Sequence, residues 1–531
     1  MRLFVLAILI GLTFVVGCSD GRNLSIARAS GTVTYNGEPL TSGSVVFMHK
    51  TGEIDAAVLG EGGKYTLRVA VGPNQVTVQS RESEEFDANG VPLTQAPGKS
   101  RIPEKYSRFY QSELSCEVTT GGNTFDIALS SEATVAASVD GLGGAAARSK
   151  SVTAGPLRFE ERLIRGKYGY AYGIAAADLD GDGDLDLTSS DTTNDLLLWF
   201  ENDGKGNLTQ RLIYEKDPGW FERHSIADIN GDGHLDVAIV KNKVGDLVWF
   251  ENSGKPRDGK LWKRHVITKA TLPGVYDVTL GDFDGDGDLD CAASSYTRGN
   301  LFAWYENHGQ PATGKPWTMH VIEKNITGTR TIEAVDINRD GKLDLLGTGR
   351  VANVILWYEN TGKPGAARWR KRIIDDQSPH PTHGHAVDMD RDGDLDVVMA
   401  LGMLAAVGVK NTHQVAWYEN VGKNAKGAKW KKHAVGDLFF GFEAVAGDLD
   451  GDQDVDIVGT AWGGGSGKLM WYENPGDPRQ SSWKAHLLKD KWTNANSVIV
   501  MDLDQDGKLD IAATAERTDN EFRWWRNLGS K

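Results

Sequence analysis

Cysteine is scarce: the 531-residue chain has three. Cys18 sits in the N-terminal segment, while Cys116 and Cys291 fall in regions that read as different domains, so no disulfide framework is expected. Both read as small buried hydrophobes, which leaves packing and bound metal to hold the fold. Positive charge is in deficit, with 58 Lys and Arg against 73 Asp and Glu and a net charge of −15. So acidic a chain is not a reader of nucleic-acid phosphates. Long apolar runs are missing apart from residues 3–16, which are too few for a comfortable membrane span. No His-Glu-x-x-His stretch occurs, so the common zinc-peptidase chemistry is not encoded. What is present is 40% hydrophobic and 25% charged, ordinary for folded domains, and long enough for two or three of them.

Met1-Arg2 and the apolar run 3–16 read as a signal peptide over 1–17. The run ends in Val15-Val16-Gly17-Cys18 and is followed by polar Ser19-Asp20-Gly21-Arg22-Asn23. Small residues before a cysteine at this place resemble a bacterial lipobox. The resemblance implies cleavage before Cys18, lipid on its thiol and new N-terminus, and attachment to a membrane of the bacterial cell envelope, periplasmic or surface-exposed. Residues 18–29 then read as a tether.

From 30 to 129, apolar and polar residues alternate between turn signals, as in Ser44-Val45-Val46-Phe47 and Lys64-Tyr65-Thr66-Leu67-Arg68-Val69. Asn36-Gly37 between such runs is a strong hairpin signal, and a small all-β sandwich is predicted. Ser30-Gly31-Thr32-Val33, Gly37-Glu38-Pro39-Leu40, Gly63-Lys64-Tyr65-Thr66-Leu67, Ile102-Pro103-Glu104-Lys105-Tyr106-Ser107 and Asn123-Thr124-Phe125-Asp126 resemble carboxypeptidase regulatory-like (transthyretin-like) domains. That resemblance implies a spacer or adhesion module rather than a catalyst. Residues 130–155, rich in Ala, Ser and Gly, read as a flexible linker.

The remainder, 156–531, is repetitive. Seven acidic segments begin at Asp178, Asp228, Asp282, Asp336, Asp388, Asp448 and Asp502, with steps of 50, 54, 54, 52, 60 and 54 residues. Each follows one apolar run and precedes another. A Trp-aromatic-Glu-Asn motif comes next, from Trp199-Phe200-Glu201-Asn202 to the degenerate Trp524-Trp525-Arg526-Asn527, and then a strand such as Trp262-Lys263-Arg264-His265-Val266-Ile267. Four short strands at a period near fifty predict one blade of a β-propeller, seven times over. The seventh repeat lacks its fourth strand. Arg158-Phe159-Glu160-Glu161-Arg162-Leu163-Ile164, at the start, has the matching pattern and is predicted to close the ring. The tryptophans are expected between neighbouring sheets, as packing rather than as ligand contacts.

The acidic segments carry the clearest chemistry. Asp178, Asp180, Asp182 and Asp186 stand at positions 1, 3, 5 and 9 of a loop with Gly183 at position 6. Alternate oxygens converging from a tight turn, with a backbone carbonyl at position 7, are what a hard cation such as Ca²⁺ requires. Asp282, Asp284, Asp286 and Asp290 repeat the set, as do Asp388, Asp390, Asp392 and Asp396, and Asp502, Asp504, Asp506 and Asp510. The second loop (Asp228, Asn230, Asp232, Asp236) and the fourth (Asp336, Asn338, Asp340, Asp344) replace one carboxylate by an amide oxygen. The sixth keeps Asp448, Asp450, Asp452 and Asp456 but has Gln453 where glycine is usual, so strain is expected there. No bidentate Glu follows at position 12, so these are strand–loop–strand sites of structural purpose, up to one Ca²⁺ per blade. Seven such ions, two charges each, would bring the net charge from −15 to about −1.

The Asp-x-Asp-x-Asp-Gly-x-x-Asp loops over 156–531 are similar to the VCBS/FG-GAP family of extracellular propellers, related in architecture to the integrin α-subunit head. The Phe-Gly…Gly-Ala-Pro element of the integrin repeats is not evident, which weakens any inference of an integrin-like partner. The strand before each acidic loop is expected to be innermost and to line a central channel with Tyr172, Arg223, His224, Asp277, Arg330, Glu333, His383, His385 and Glu443. His383 and His385, as alternate residues, could share a metal. Two functions fit: a monomeric binding or adhesion module for a glycan or protein, or a carbohydrate-active enzyme, lyase- or dehydratase-like, using His383, His385, His224, Arg330 and Glu443 in the channel. Sugar lyases and dehydratases built on similar repeats make the second conceivable, though a shared fold does not select a reaction.

Overall fold

The computed structural model describes residues 25–49, 54–80, 101–103, 106, 114–130, 150–296, 298–363, 368–405, 410–421, 426–463 and 467–530. The signal peptide, Cys18 and most of the expected linker lie outside these residues. The chain divides into two units, 1–140 and 141–531.

In the first unit two sheets face each other. Ile26–Tyr35 pairs antiparallel with Lys64–Ala70 and parallel with Asn123–Thr124 and Ile127–Leu129. The second sheet runs Ile54–Val58, Ser44–His49, Gly72–Gln79, Ser115–Val118. Alternation puts Ala29, Val33, Val45, Phe47, Tyr65, Leu67, Val69 and Val78 into one core. Asn36 and Gly37 both have positive φ, 51° and 87°, the primed turn that a two-residue hairpin needs. The first strand begins at Ile26, inside the segment read as tether. Cys291 is fully buried, whereas Cys116 is only half-buried, because its short strand lies at the edge of the second sheet.

The second unit is the seven-bladed propeller. Six blades are four-stranded antiparallel sheets in chain order; the first is Ala171–Ala177, Asp186–Asp191, Leu196–Glu201, Thr209–Glu215. Each innermost strand contacts the next, and Ala171–Ala177 also meets Ala495–Met501, so the ring closes. The seventh sheet is completed from the other end of the sequence: Leu157–Arg165 pairs with Glu521–Ser530, with Phe159 opposite Asn527. A fifth strand, Lys150–Ala154, lies outside it; these residues, read as linker, form a hairpin with 157–161 instead.

The core is not one mass but a series of wedges between sheets. Leu179, Leu197 and Trp199 of the first blade, for example, pack with Val237, Ile239 and Phe250 of the second. Trp199, Trp249, Trp357, Trp417, Trp471 and Trp524 are buried, as expected for wedge fillers. On the fourth strand, imidazoles stack on four of the motif tryptophans: His265, His320, His433 and His486 lie 4.2–4.6 Å from Trp249, Trp304, Trp417 and Trp471. Each also bonds the motif Glu of its own blade at 2.6–2.7 Å.

The motif asparagine does more than turn the chain. Its backbone N–H donates to the ninth-position Asp of its own loop at 2.7–2.8 Å in all seven blades, as Asn202 does to Asp186. In four blades its side-chain amide also crosses to the preceding blade: Asn202, Asn252, Asn360 and Asn527 donate to the carbonyls of Leu503, Leu179, Phe283 and Leu449 at 2.7–2.8 Å.

If the N-terminal strand closes the ring, Phe159→Ala should cost about 3–5 kcal/mol in chemical denaturation, as for any large core side chain. An unchanged midpoint would mean that the strand is peripheral.

Candidate functional site

The acidic loops sit where each innermost strand turns into the second, and a shared set of hydrogen bonds recurs in all seven. The first Asp accepts the N–H of position 6, as Asp178 does from Gly183 at 3.0 Å. The fifth-position Asp accepts the N–H of position 7. The ninth-position Asp, essentially inaccessible, accepts the N–H of position 2 on Oδ2 at 3.1–3.2 Å and the asparagine N–H on Oδ1. Position 2 is a buried apolar side chain in every loop, from Leu179 to Leu503.

Carboxylates therefore crowd together. In five loops three carboxylates bring oxygens within 4.8 Å of one another: Asp178/Asp180/Asp186, Asp282/Asp284/Asp290, Asp388/Asp390/Asp392, Asp448/Asp450/Asp456 and Asp502/Asp504/Asp510. Buried oxygens without a hydrogen-bond donor remain, among them Oδ1 of Asp180, Asp388, Asp504 and Asn338. Orphaned acceptors of this kind fit a divalent oxygen-loving cation such as Ca²⁺. The second and fourth loops are outside the five triads because Asn230 and Asn338 offer no carboxylate. At position 7, Asp184 is buried rather than free in solvent. Arginines stand beside several second ligands: Arg257 is 2.7 Å from Asp180, and Arg479 and Arg526 pair with Asp390 and Asp504. Burial pushes the ninth-position carboxyls up, partly offset by their backbone donors: Asp186, Asp236, Asp344, Asp456 and Asp510 to about 7, Asp290 and Asp396 to about 8. Gln453 holds the left-handed conformation of the glycines it replaces, with φ 77°.

The channel is divided by a plug. Tyr172, Tyr276, Met403 and Phe442 cluster across it. The Tyr172 and Tyr276 hydroxyls share a short hydrogen bond, and His383 stacks on Tyr276 at 5.5 Å.

Towards the acidic loops lies a cavity of about 190 Å³ holding Arg223, His224, Asp277, Glu333, His383, His385 and Glu443. Its charges mostly tie blades together. Arg223 bonds Glu443 across the channel at 2.6 Å and Asp277 at 3.2 Å. Asp277, Glu333 and Glu443 also accept N–H groups from the next blade's inner edge, those of Ile332, Ala386 and Val498. Both nitrogens of His383 are engaged, with Thr331 and Tyr276 at 3.1 Å. Burial keeps the His383 imidazole well below its ordinary range and takes His224 down to about 3. His385 lies 3.7 Å from Glu333 and 3.6 Å from Glu443, which outweigh burial and raise it to about 10. Burial opposes ionisation of Glu443, but Arg223 and His385 hold it well below the usual carboxylate range. Among the described residues neither His383 nor His385 joins a group of three possible metal ligands.

Arg330 is on the other side of the plug. There, at the end of the ring opposite the acidic loops, a mouth of about 220 Å³ is lined by Tyr170, Tyr172, Glu222, Asn242, Tyr276, Tyr296, Arg298, Arg330, Met403, Phe442, Trp462, Glu516 and Arg517. Most come from two register positions. The second residue of the innermost strand is, blade by blade, Tyr172, Glu222, Tyr276, Arg330, Thr382, Phe442, Asn496. The residue after the second strand is Thr192, Asn242, Tyr296, Arg350, Gly402, Trp462, Glu516. At equivalent points the acidic end repeats itself, while at this end no two blades share the same pair of residues. That contrast is readable in the aligned repeats, but Tyr296, Arg350, Trp462, Glu516 and Arg517 belong to no motif that marks them singly. Burial raises the Tyr296 phenol, but Arg330 and Arg350 outweigh it and leave it below its ordinary value. Trp220 and Phe440, bulky residues with φ of 66° and 57°, precede two innermost strands at the same end, an unusual conformation for such side chains.

Two outcomes follow for the loops. The ninth-position carboxyls titrate near 7–8 in the fold but near 4 when unfolded, so without metal the native state holds more protons and loses stability as pH rises from about 4 to 8. In chelator the melting temperature should therefore fall across that window, and millimolar Ca²⁺ should abolish the fall; a melting temperature indifferent to both would remove the metal from the account. Separately, Gln453→Gly should add about 1 kcal/mol of stability by relieving the left-handed side chain, read as a shifted denaturation midpoint.

A family model described as FG-GAP-like repeat matches residues 178–239, 228–293, 282–347, 336–399 and 448–513. No curated protein matches the chain. A solved luciferin-regenerating enzyme is similar at 11% identity over 70% of this chain and 97% of its own, with a TM-score of 0.35, a likeness too distant to carry any argument. The matched repeats cover more than half of the chain and coincide with the acidic loops and the strands around them, and the chain belongs to the FG-GAP-like repeat family.

Proposed function

We propose that the protein is a calcium-braced binding module, anchored in the bacterial cell envelope through lipid on Cys18, that takes a glycan or protein ligand at the non-repeating mouth of its propeller. Each of the seven loops takes one Ca²⁺ in this reading, the five carboxylate triads more tightly than the amide-bearing second and fourth. The N-terminal sandwich, resembling carboxypeptidase regulatory-like domains, serves as spacer. The protein acts as a monomer outside the cytoplasm and does not engage nucleic acid.

The observation that carries this reading is the asymmetry between the two ends. Seven near-identical loops serve the architecture, which treats all blades alike. A ligand is not seven-fold symmetric, so its site must break the repeat; the repeat breaks at the mouth and in the inner cavity, and the charges of the cavity are mostly spent on tying blades together. The exposed apolar side chains Trp220, Val244, Val351, Leu404 and Phe439 belong to loops at that same end, as expected of an interaction face. The enzymatic alternative gains less support. The carboxylates best placed for acid–base work, Asp277 and Glu443, are committed to Arg223 and to backbone N–H groups.

The test is binding to an array of immobilised neutral and acidic polysaccharides in millimolar Ca²⁺, comparing wild type with a Tyr296→Ala/Trp462→Ala variant of unchanged melting temperature. Saturable binding weakened about tenfold or more in the variant is expected, the equivalent of losing one or two aromatic contacts of about 1 kcal/mol each. Binding that survives intact would move the site away from the mouth.

A further inference from the structure

Given the mouth as ligand site, the chemistry of its walls narrows the ligand. We propose that the mouth binds an acidic sugar residue, with the ring laid against Trp462 and the anionic substituent held by Arg330. The inference deepens the binding-module reading and rests on it.

Arg330 is the central observation. It is 7% exposed, and its guanidinium is stacked between two phenol rings, 4.1 Å from Tyr276 and 3.9 Å from Tyr296. Its Nε has no hydrogen-bond acceptor, and among the described residues it forms no ion pair within 4.0 Å; the Glu222 carboxyl on the same wall feels its charge only from farther off. Arg350, 6% exposed, is likewise without a carboxylate; it donates to the Tyr296 hydroxyl at 2.7 Å and fixes that ring from behind. Buried guanidinium groups are ordinarily paired, because an unpaired charge taken from water is expensive. Elsewhere in this chain arginines do find carboxylates, as Arg223 and Arg257 show. Two arginines left without them, in a chain of net charge −15, mark a place where negative charge is supplied from outside.

The rest of the lining says what carries that charge. Trp462 is a half-buried ring suited to the apolar C–H face of a pyranose, whereas Tyr170 and Tyr296 already carry the guanidinium groups of Arg517 and Arg330 at 5.0 and 3.9 Å. Glu222 and Glu516 offer acceptors for hydroxyl groups, with Glu516 already oriented by the Trp462 indole at 2.6 Å. A sugar acid brings hydroxyl groups for these carboxyls and an anion for the arginine, a combination that a bare phosphate lacks. A cavity of about 220 Å³ is smaller than the ~300–1,000 Å³ of sites for drug-sized ligands, so a single ring is what fits.

The experiment compares the folded full-length protein in Ca²⁺ on four probes: polygalacturonate, the same polymer with its carboxyls reduced, sulfated carrageenan and neutral dextran. Polygalacturonate should bind and its reduced form should bind about tenfold or more weaker, in keeping with loss of one charge-assisted contact. Arg330→Gln, and Arg330→Lys as a variant that keeps the charge, should lower binding to the acidic probe while leaving melting temperature within a few degrees. If Arg330→Gln unfolds the protein, carboxyl reduction of the probe still decides. Preference for carrageenan over polygalacturonate would transfer the anion to a sulfate ester. Equal binding of polygalacturonate and its reduced form, sensitive to Tyr296→Ala/Trp462→Ala, would overturn the acidic ligand and spare the mouth. Binding indifferent to every mouth variant would overturn both.

Discussion

The propeller depends on a buried carboxylate. In each blade the ninth residue of the acidic loop, Asp186 in the first and Asp510 in the last, is sealed from water and accepts one backbone N–H from its loop and another from the asparagine after the tryptophan. Those two bonds fix the loop against the third strand. In four blades the asparagine amide then reaches a carbonyl of the preceding loop. Loop, sheet and neighbouring sheet are thus joined through one acidic group. Such a group is tolerable only if its charge is answered, and the surrounding acids make that harder, not easier. A divalent cation would answer it, and in five of the loops three carboxylates stand close enough together to hold one.

From that constraint the division of labour along the axis follows. The acidic end has no freedom to vary, because every blade needs the same turn, the same buried Asp and the same asparagine. The opposite end carries no such requirement. Its two register positions carry a different pair of residues in each blade, from Tyr172 with Thr192 to Asn496 with Glu516. Between the ends, Asp277, Glu333 and Glu443 accept inner-edge N–H groups of three blades and pair with Arg223 and His385, and so tie neighbouring inner strands together.

Much of this was legible in the sequence because it repeats. Seven phased Asp loops and Trp-aromatic-Glu-Asn motifs specify four strands per blade, and the missing last strand points to Arg158–Ile164. Gln453 at a glycine position announces its own strain. What stayed hidden depends on contacts across blades. Nothing local distinguishes the ninth Asp, a buried latch, from the first, a loop cap. The asparagine reads as a turn residue until its amide is seen crossing to the preceding sheet. His383 and His385 look like a metal pair, yet one is spent on Thr331 and Tyr276 and the other sits between two glutamates. Lys150–Ala154 has weak strand character in itself and is ordered by the hairpin it makes with 157–161. The mouth escaped because its signal is a failure to repeat.

The central claim, that metal braces one end of the ring and leaves the other free for a ligand, is tested most directly by hydrogen exchange resolved by peptide, in Ca²⁺ and in chelator. The account predicts that Ca²⁺ protects the seven loops beginning at Asp178, Asp228, Asp282, Asp336, Asp388, Asp448 and Asp502, and changes the mouth segments 168–173, 298–300 and 461–463 little. Protection confined to the mouth, or loops that exchange alike in both conditions, would contradict it.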